Sequence, residues 1–171
     1  MRPKIEEYAP YYKKYVEKVT GNNPIEFLES QIKIMQSLVG RIDEERSNYR
    51  YAEGKWSIRE VIGHIIDSER VFSYRVLRFS RKDLNPLPGF DENAYIEKSC
   101  YHDTSFGNLV EEFILLRKAN ILLFSRLNEE AINQIGNASG YDVSVRALLY
   151  ITAGHTQHHI DIIKEKYLDN K

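Results

Sequence analysis

The run Leu148-Leu149-Tyr150-Ile151-Thr152-Ala153-Gly154-His155-Thr156-Gln157-His158-His159-Ile160-Asp161-Ile162 holds Leu148, Thr152, His155, His159 and Ile162 at intervals of 4, 3, 4 and 3. Those intervals keep one face of an α-helix turned toward its neighbours, the pattern of a bundle seam. Two of the seam positions are histidine. His155 and His159 differ by about 40° around the helix axis, so both imidazoles point the same way. Such a pair is half of a divalent-metal site. The competing reading, two hydrogen-bonded core histidines, requires two buried partners for them.

Working outward, the periodicity extends this helix over about 144–168. Three more segments of similar length precede it. Asn23-Pro24 with Glu26 has the form of a capped helix start, and Leu28, Ile34, Met35, Leu38 and Ile42 continue a stripe over about 24–47. Ser57-Ile58-Arg59-Glu60 is a capping box that opens a helix to about Ser80, with Ile58, Val61, Ile62, Ile65, Phe72, Val76 and Phe79 inward. Leu109, Phe113, Leu116, Leu123 and Leu127 mark a helix over about 104–127. The Asn- and Gly-rich residues 128–142 read as turns, and no segment reads as a β-strand. The expected class is all-α, a four-helix bundle of residues 24–171. Residues 1–23 form an extension with a short helical segment starting at Pro10. Its Tyr12, Val16 and Val19 read as packing rather than as a binding patch.

Residues 81–103 are too long for a tight turn between antiparallel helices. At up to ~3.3 Å per residue they can run back along a helix ~36 Å long, giving up-down-down-up order. That order sets His64, ~10 Å into the second helix, near the level of His159, ~14 Å from the end of the fourth; simple up-down order favours His155 only slightly less. Either way, His64, His155 and His159 supply three nitrogens and leave a coordination position open, as in catalytic metal sites. His158 lies about 60° from His155 and is a candidate acid or base rather than a ligand. Asp67 and Glu60 neighbour His64 on its helix. Either is a candidate acceptor for its second N–H or a solvated edge charge, and Asp67 is a candidate base. His102, in the long connection, has no partner at ligand spacing.

Composition narrows the classes further. The 171 residues carry 24 Lys plus Arg against 25 Asp plus Glu, a net charge of -1, which disfavours a basic nucleic-acid binder. The lone cysteine, Cys100, excludes an intramolecular disulfide and a Cys-rich zinc module. No apolar run approaches the ~20 residues of a membrane span. Residues 1–7 lack the apolar core of a signal peptide, so a cytoplasmic protein without nucleic-acid or membrane partners is expected. Thr156 stands where a His-Glu-x-x-His protease needs its base, and Glu-x-x-His, required twice in di-iron bundles, is absent.

Three stretches together resemble the DinB-like superfamily, which includes the YfiT-like proteins. They are Lys55-Trp56-Ser57-Ile58-Arg59-Glu60-Val61-Ile62-Gly63-His64-Ile65-Ile66-Asp67, then Leu87-Pro88-Gly89-Phe90-Asp91-Glu92-Asn93-Ala94-Tyr95, then Gly154-His155-Thr156-Gln157-His158-His159. The likeness covers about 25–168. It implies an up-down-down-up four-helix bundle, often a homodimer, with nickel, zinc or a similar divalent metal on three histidines; manganese and iron stay open. Carried over, those ligands are His64, His155 and His159. Some members look like thiol S-transferases using bacillithiol or mycothiol, and others like metal-dependent hydrolases. The expected function is metal-dependent transfer of a low-molecular-weight thiol to a small electrophile, with Asp67 or His158 taking the proton. Hydrolysis, or a non-catalytic stress-related module with a structural metal, are the alternatives.

Overall fold

The computed structural model describes residues 2–83 and 85–168, the side chain of Val39 excepted. In chain order the elements are α1 (Lys13–Val16), α2 (Pro24–Val39), α3 (Ile58–Ser80), α4 (Glu92–Glu97), α5 (Phe106–Ser125), α6 (Glu129–Ile132), the strands β1 (Ile135–Ala138) and β2 (Tyr141–Ser144), and α7 (Val145–Ile162). A π-helical turn, Ile163–Leu168, continues α7. Side-chain caps start every long helix. Asn23 Oδ1 accepts from Ile25 N, Ser105 Oγ from Asn108 N and Ser144 Oγ from Ala147 N. The expected box at α3 is present: Ser57 Oγ accepts from Glu60 N while Glu60 Oε2 accepts from Ser57 N at 2.6 Å.

Long-range hydrogen bonds give the helix directions. Arg59 reaches Thr104 O and Arg117 reaches Glu69, so α3 and α5 run parallel. Gln31 donates to Ala153 O and Arg46 to Tyr167 O, so α2 and α7 run parallel. Phe106 N donates to Glu44, and Arg117 to Leu28 O, so α5 opposes α2. Tyr167 Oη donates to Trp56 O, the end of α7 meeting the start of α3. The order is up-down-down-up, as the long connection allows. Among the described residues no helix is long and apolar enough to cross a membrane.

Two apolar clusters fill the bundle. One holds Leu28, Phe72, Val76, Phe79, Phe124, Leu148 and Ile151; the other holds Met35, Leu38, Ile58, Ile62, Phe106, Phe113, Ile160 and Ile163. On every helix the two are separated by buried polar residues: Gln31, then Ser68 and Glu69, then Arg117 and Asn120, then His155 and Thr156. The bundle therefore has a polar waist between two greasy ends.

Three expectations need correction. The first long helix stops at Val39 rather than near 47; the chain turns there and forms a short 3-10 turn, Arg46–Asn48. The seam of α5 passes through Arg117, Asn120 and Phe124, leaving Leu116 and Leu123 only partly buried, because the polar waist accommodates a guanidinium there. The turn region contains a strand pair, β1 and β2, joined at Ser139 (φ 57°) and Gly140 (φ 82°). Two residues with positive φ match the right-handed twist of a hairpin. Leu87 of the crossover docks on this hairpin, its N donating to Asn137 O and its O accepting from Ser139 N, both at 2.9 Å. Downstream, Asp91 caps α4, its Oδ1 accepting from Asn93 N and Ala94 N.

Residues ahead of α2 lie along α7. Arg2 ties them together by donating to Val16 O and Val19 O, and Glu7 accepts from Ser144 Oγ and Arg146.

Candidate metal centre

α3 and α7 bring His64, His155 and His159 together. One ligand atom from each lies within 4.8 Å of the others, and His64 Nε2 is 3.0 Å from His155 Nε2. All three are buried. Among the described residues their side chains make no hydrogen bond except this one to each other. Burial holds His64 down to about 4, helped by the His158 charge, and pushes His155 and His159 well below the usual imidazole range. All three are therefore neutral at pH 7, with lone pairs free to coordinate. Metal–nitrogen bonds of ~2.0–2.1 Å place neighbouring ligand atoms roughly 3–3.4 Å apart. The donor set and its spacing thus fit a divalent transition metal, and no protein group among the described residues competes for the nitrogens.

A glycine precedes two of these histidines, and each admits a tyrosine. A Cβ on Gly63 would stand 2.2 Å from the Tyr101 ring, and one on Gly154 would stand 1.9 Å from the Tyr15 carbonyl oxygen. Mid-helix glycine costs about 1 kcal/mol relative to alanine, so both positions are held for close approach. Gly154 seats the N-terminal segment on α7 beside His155, and the Tyr15 ring packs edge-on against His155 and His158 at 5.2 and 5.4 Å.

The histidines open into a cavity of about 450 Å³. Its walls include Tyr11, Tyr12 and Tyr15, with Trp56, Phe72 and Phe90 from the bundle and the crossover. The tyrosines read from sequence as packing are thus part of the site; Gly154 beside His155 was the one local sign of their approach. A larger hollow, about 620 Å³, lies between Asp43, Arg46 and Tyr167, away from the histidines.

The other candidates fall outside the cavity. Asp67 faces Tyr101, Arg70 and Glu112, and burial raises its carboxyl; it does not line the cavity and is not placed to act as its base. Glu60 is spent on Ser57 and Arg50, so neither carboxylate takes the second N–H of His64. His158 is half-buried between Tyr15 and His159, lowered by burial and by Lys14 and Lys18, and touches the site without lining the cavity. His102 is exposed, 3.3 Å from Glu60. Cys100 is exposed and free.

A solved structure shares this arrangement of helices. The structure of YfiT from Bacillus subtilis, described as a probable metal-dependent hydrolase with an unusual four-helix bundle topology, matches with a TM-score of 0.77 at 18% identity, over 94% of this chain and 92% of that one. A protein of Oceanobacillus iheyensis, OB0413, named as a proposed metal-dependent hydrolase, is 30% identical over 158 residues, 86% of this chain and 87% of its own. The DinB superfamily profile matches residues 28–163, a span holding all three buried histidines and the crossover, and the chain belongs to that superfamily.

Proposed function

We propose that this chain is a divalent-metal enzyme that transfers a low-molecular-weight thiol to a small electrophile, with His64, His155 and His159 as the protein ligands. The observation that carries the reading is a cluster of three neutral imidazoles opening into a cavity poor in acid–base groups. A divalent metal on three nitrogens supplies Lewis acidity and lowers the pKa of a thiol or water occupying its remaining positions. A thiol so activated needs no protein base. The single carboxylate lining the cavity among the described residues, Glu92, is exposed. Tyr15, raised by burial, stays a neutral phenol that orients ligands by hydrogen bonding and, with Tyr12 and Phe72, limits water. His158, behind Tyr15, is the remaining candidate for relaying a proton to solvent.

Hydrolysis is the second reading, favoured by what OB0413 and YfiT are described as. Nickel and zinc suit an imidazole set best, with manganese and iron less favoured. The reading includes a homodimer, for which light scattering should report about twice the 20.1 kDa chain mass. The deciding experiment loads the protein with zinc or nickel and follows cysteine-derived thiols against 1-chloro-2,4-dinitrobenzene, in parallel with p-nitrophenyl ester hydrolysis. Metal-dependent thiol consumption lost in His155→Ala is expected. Metal-dependent ester cleavage without thiol consumption would move the assignment to hydrolysis.

A further inference from the structure

One face of α3 carries His64, Ser68, Phe72 and Arg75, and all four line the same cavity. Arg75 is 2% exposed. Two other arginines are buried as deeply, and each has a carboxylate: Glu44 for Arg59 and Glu69 for Arg117. No ion pair among the described residues includes Arg75. Its Nη2 donates to Pro88 O at 3.2 Å and to Ser139 Oγ at 3.0 Å, which fixes the guanidinium at the cavity wall. Nε and Nη1 have no acceptor among the described residues. The Phe72 ring, 6.0 Å from Cζ, is the one other favourable contact of the charge among the described residues. Arginine cannot shed its proton, so a buried guanidinium without a counter-ion is costly unless something anionic reaches it.

Two further features belong to this place. Ser139 sits at φ 57°, a conformation that favours glycine or asparagine, yet its hydroxyl accepts from Arg75 and keeps its own proton to donate. Ser68 Oγ, on the wall between Arg75 and His64, is buried without a partner among the described residues.

We propose that the end of the cavity away from the histidines is a carboxylate subsite built on Arg75 and Ser139, and that the substrate carries a carboxylate roughly 10–15 Å from its reacting atom. Eleven residues of helix separate His64 from Arg75, a rise of about 16 Å, shortened by the reach of the side chains. One guanidinium and one hydroxyl match a monoanion better than a phosphate dianion. Phe72 and Phe90 suit an apolar or planar middle for the same molecule. The placement of the reacting atom rests on the metal reading above; the carboxylate subsite does not.

The test uses calorimetric titration with 6-phenylhexanoate and its uncharged isostere, 6-phenylhexanamide. Wild-type protein should bind the acid about tenfold or more tightly than the amide, the scale of hydrogen bonds to a charged group. Arg75→Met should erase that preference while zinc stoichiometry and melting temperature stay near wild type; Arg75→Lys should keep part of it. Were Arg75 only a strut between Pro88 and Ser139, the substitution would weaken acid and amide alike, and the proposal would fall. Equal wild-type affinities, or no binding of either probe, would also overturn it. The preference must persist in metal-free protein, since an acid preference seen only with zinc would mean the carboxylate was ligating the metal. Failure of the thiol-transfer assay leaves this readout intact, so the two readings can fail separately.

Discussion

The two sides of the polar waist are built from adjacent residues and finished differently. On one side Arg117, fully buried, donates to Glu69 through Nε (2.8 Å) and Nη2 (2.7 Å), to Gln31 and Leu28 O through Nη1, and to Thr156 through Nη2. Asn120 adds a third donor to Glu69. Every helix of the bundle contributes, and each charge meets its complement. One residue along α3 and α7, at Ser68 and His155, the chain turns to the other side. There, among the described residues, a hydroxyl has no partner, three imidazoles have only one another, and Arg75 has no counter-ion. Buried polar groups are ordinarily satisfied. Buried atoms without a partner also occur singly elsewhere, at Tyr150 Oη for one, but the open side gathers several around one cavity, and that clustering is what supports reading it as a place for ligands.

The sharpest way to break this contrast is to remove one arginine from each side. Arg117→Met strands Glu69 as an uncompensated buried charge and should cost about 3–5 kcal/mol. For a chain of this size that is roughly 6–20 °C in Tm. Adding Glu69→Leu should recover much of the loss, because the pair is then replaced by apolar packing. Arg75→Met should change stability by less than about 1 kcal/mol, since two lost hydrogen bonds are offset by relief of an unpaired charge. Thermal melts of the three variants decide it; equal losses for Arg117→Met and Arg75→Met would erase the distinction.

Local signals carried most of the fold. The Ser57–Glu60 box and the 4-3-4-3 seam on α7 are properties of neighbouring residues on one helix, and the length of the crossover constrained the helix order. The three histidines were legible for the same reason. What stayed hidden depends on contacts between distant residues. Arg117 carries no local mark of burial, because its partner Glu69 lies 48 positions away. The N-terminal segment reads as packing alone because the docking place of its Tyr15, Gly154, is far along the chain. The hairpin leaves little trace in the sequence because each strand has only four residues and little alternation, with Ser139-Gly140 as its one local mark. Asp67 looked usable because it is three residues from His64, but that spacing turns it toward Tyr101 instead.

Two substitutions sharpen the open side. Gly154→Ala forces a methyl into the Tyr15 carbonyl, where no flexible side chain can yield, and should cost about 1–3 kcal/mol. It should also lift Tyr15 from His155 and speed proteolysis of residues 1–19 relative to the bundle. Gly107→Ala, with open space at its Cβ, should be neutral or stabilising. Metal supplies the other probe. Zinc or nickel at a hundredfold excess over Kd should raise stability by ~2.7 kcal/mol if it binds only the folded chain. His64→Ala, His155→Ala and His159→Ala should each lose that increment and the bound metal, and His102→Ala should lose neither. The metal-free protein should remain folded, because the two apolar clusters do not depend on the site. Elemental analysis and melts with chelator check both statements, and full metal retention in any of the three variants would remove that histidine from the site.

The smallest effect concerns the strap that carries the tyrosines over the cavity. Glu7 accepts from Ser144 Oγ at 2.6 Å and from Arg146 at 3.1 Å, joining residues ahead of α2 to the start of α7. Burial alone would raise its carboxyl, but the backbone N–H of Lys4, the Ser144 hydroxyl and Arg146 together hold it below the usual glutamate range. A carboxyl lowered on folding adds stability that is fully present above the unfolded value, near 4.5, and is lost as pH falls through the folded value. Wild-type protein should therefore melt above Glu7→Gln at pH 7, with the gap closing below about pH 4. The histidines titrate in both proteins and cancel in the difference. Because the strap is only part of the fold, the gap should be small, and cleavage within residues 1–19 should respond more than the global melt. A gap that persists unchanged at pH 3 would mean that Glu7 holds the strap by shape rather than by charge.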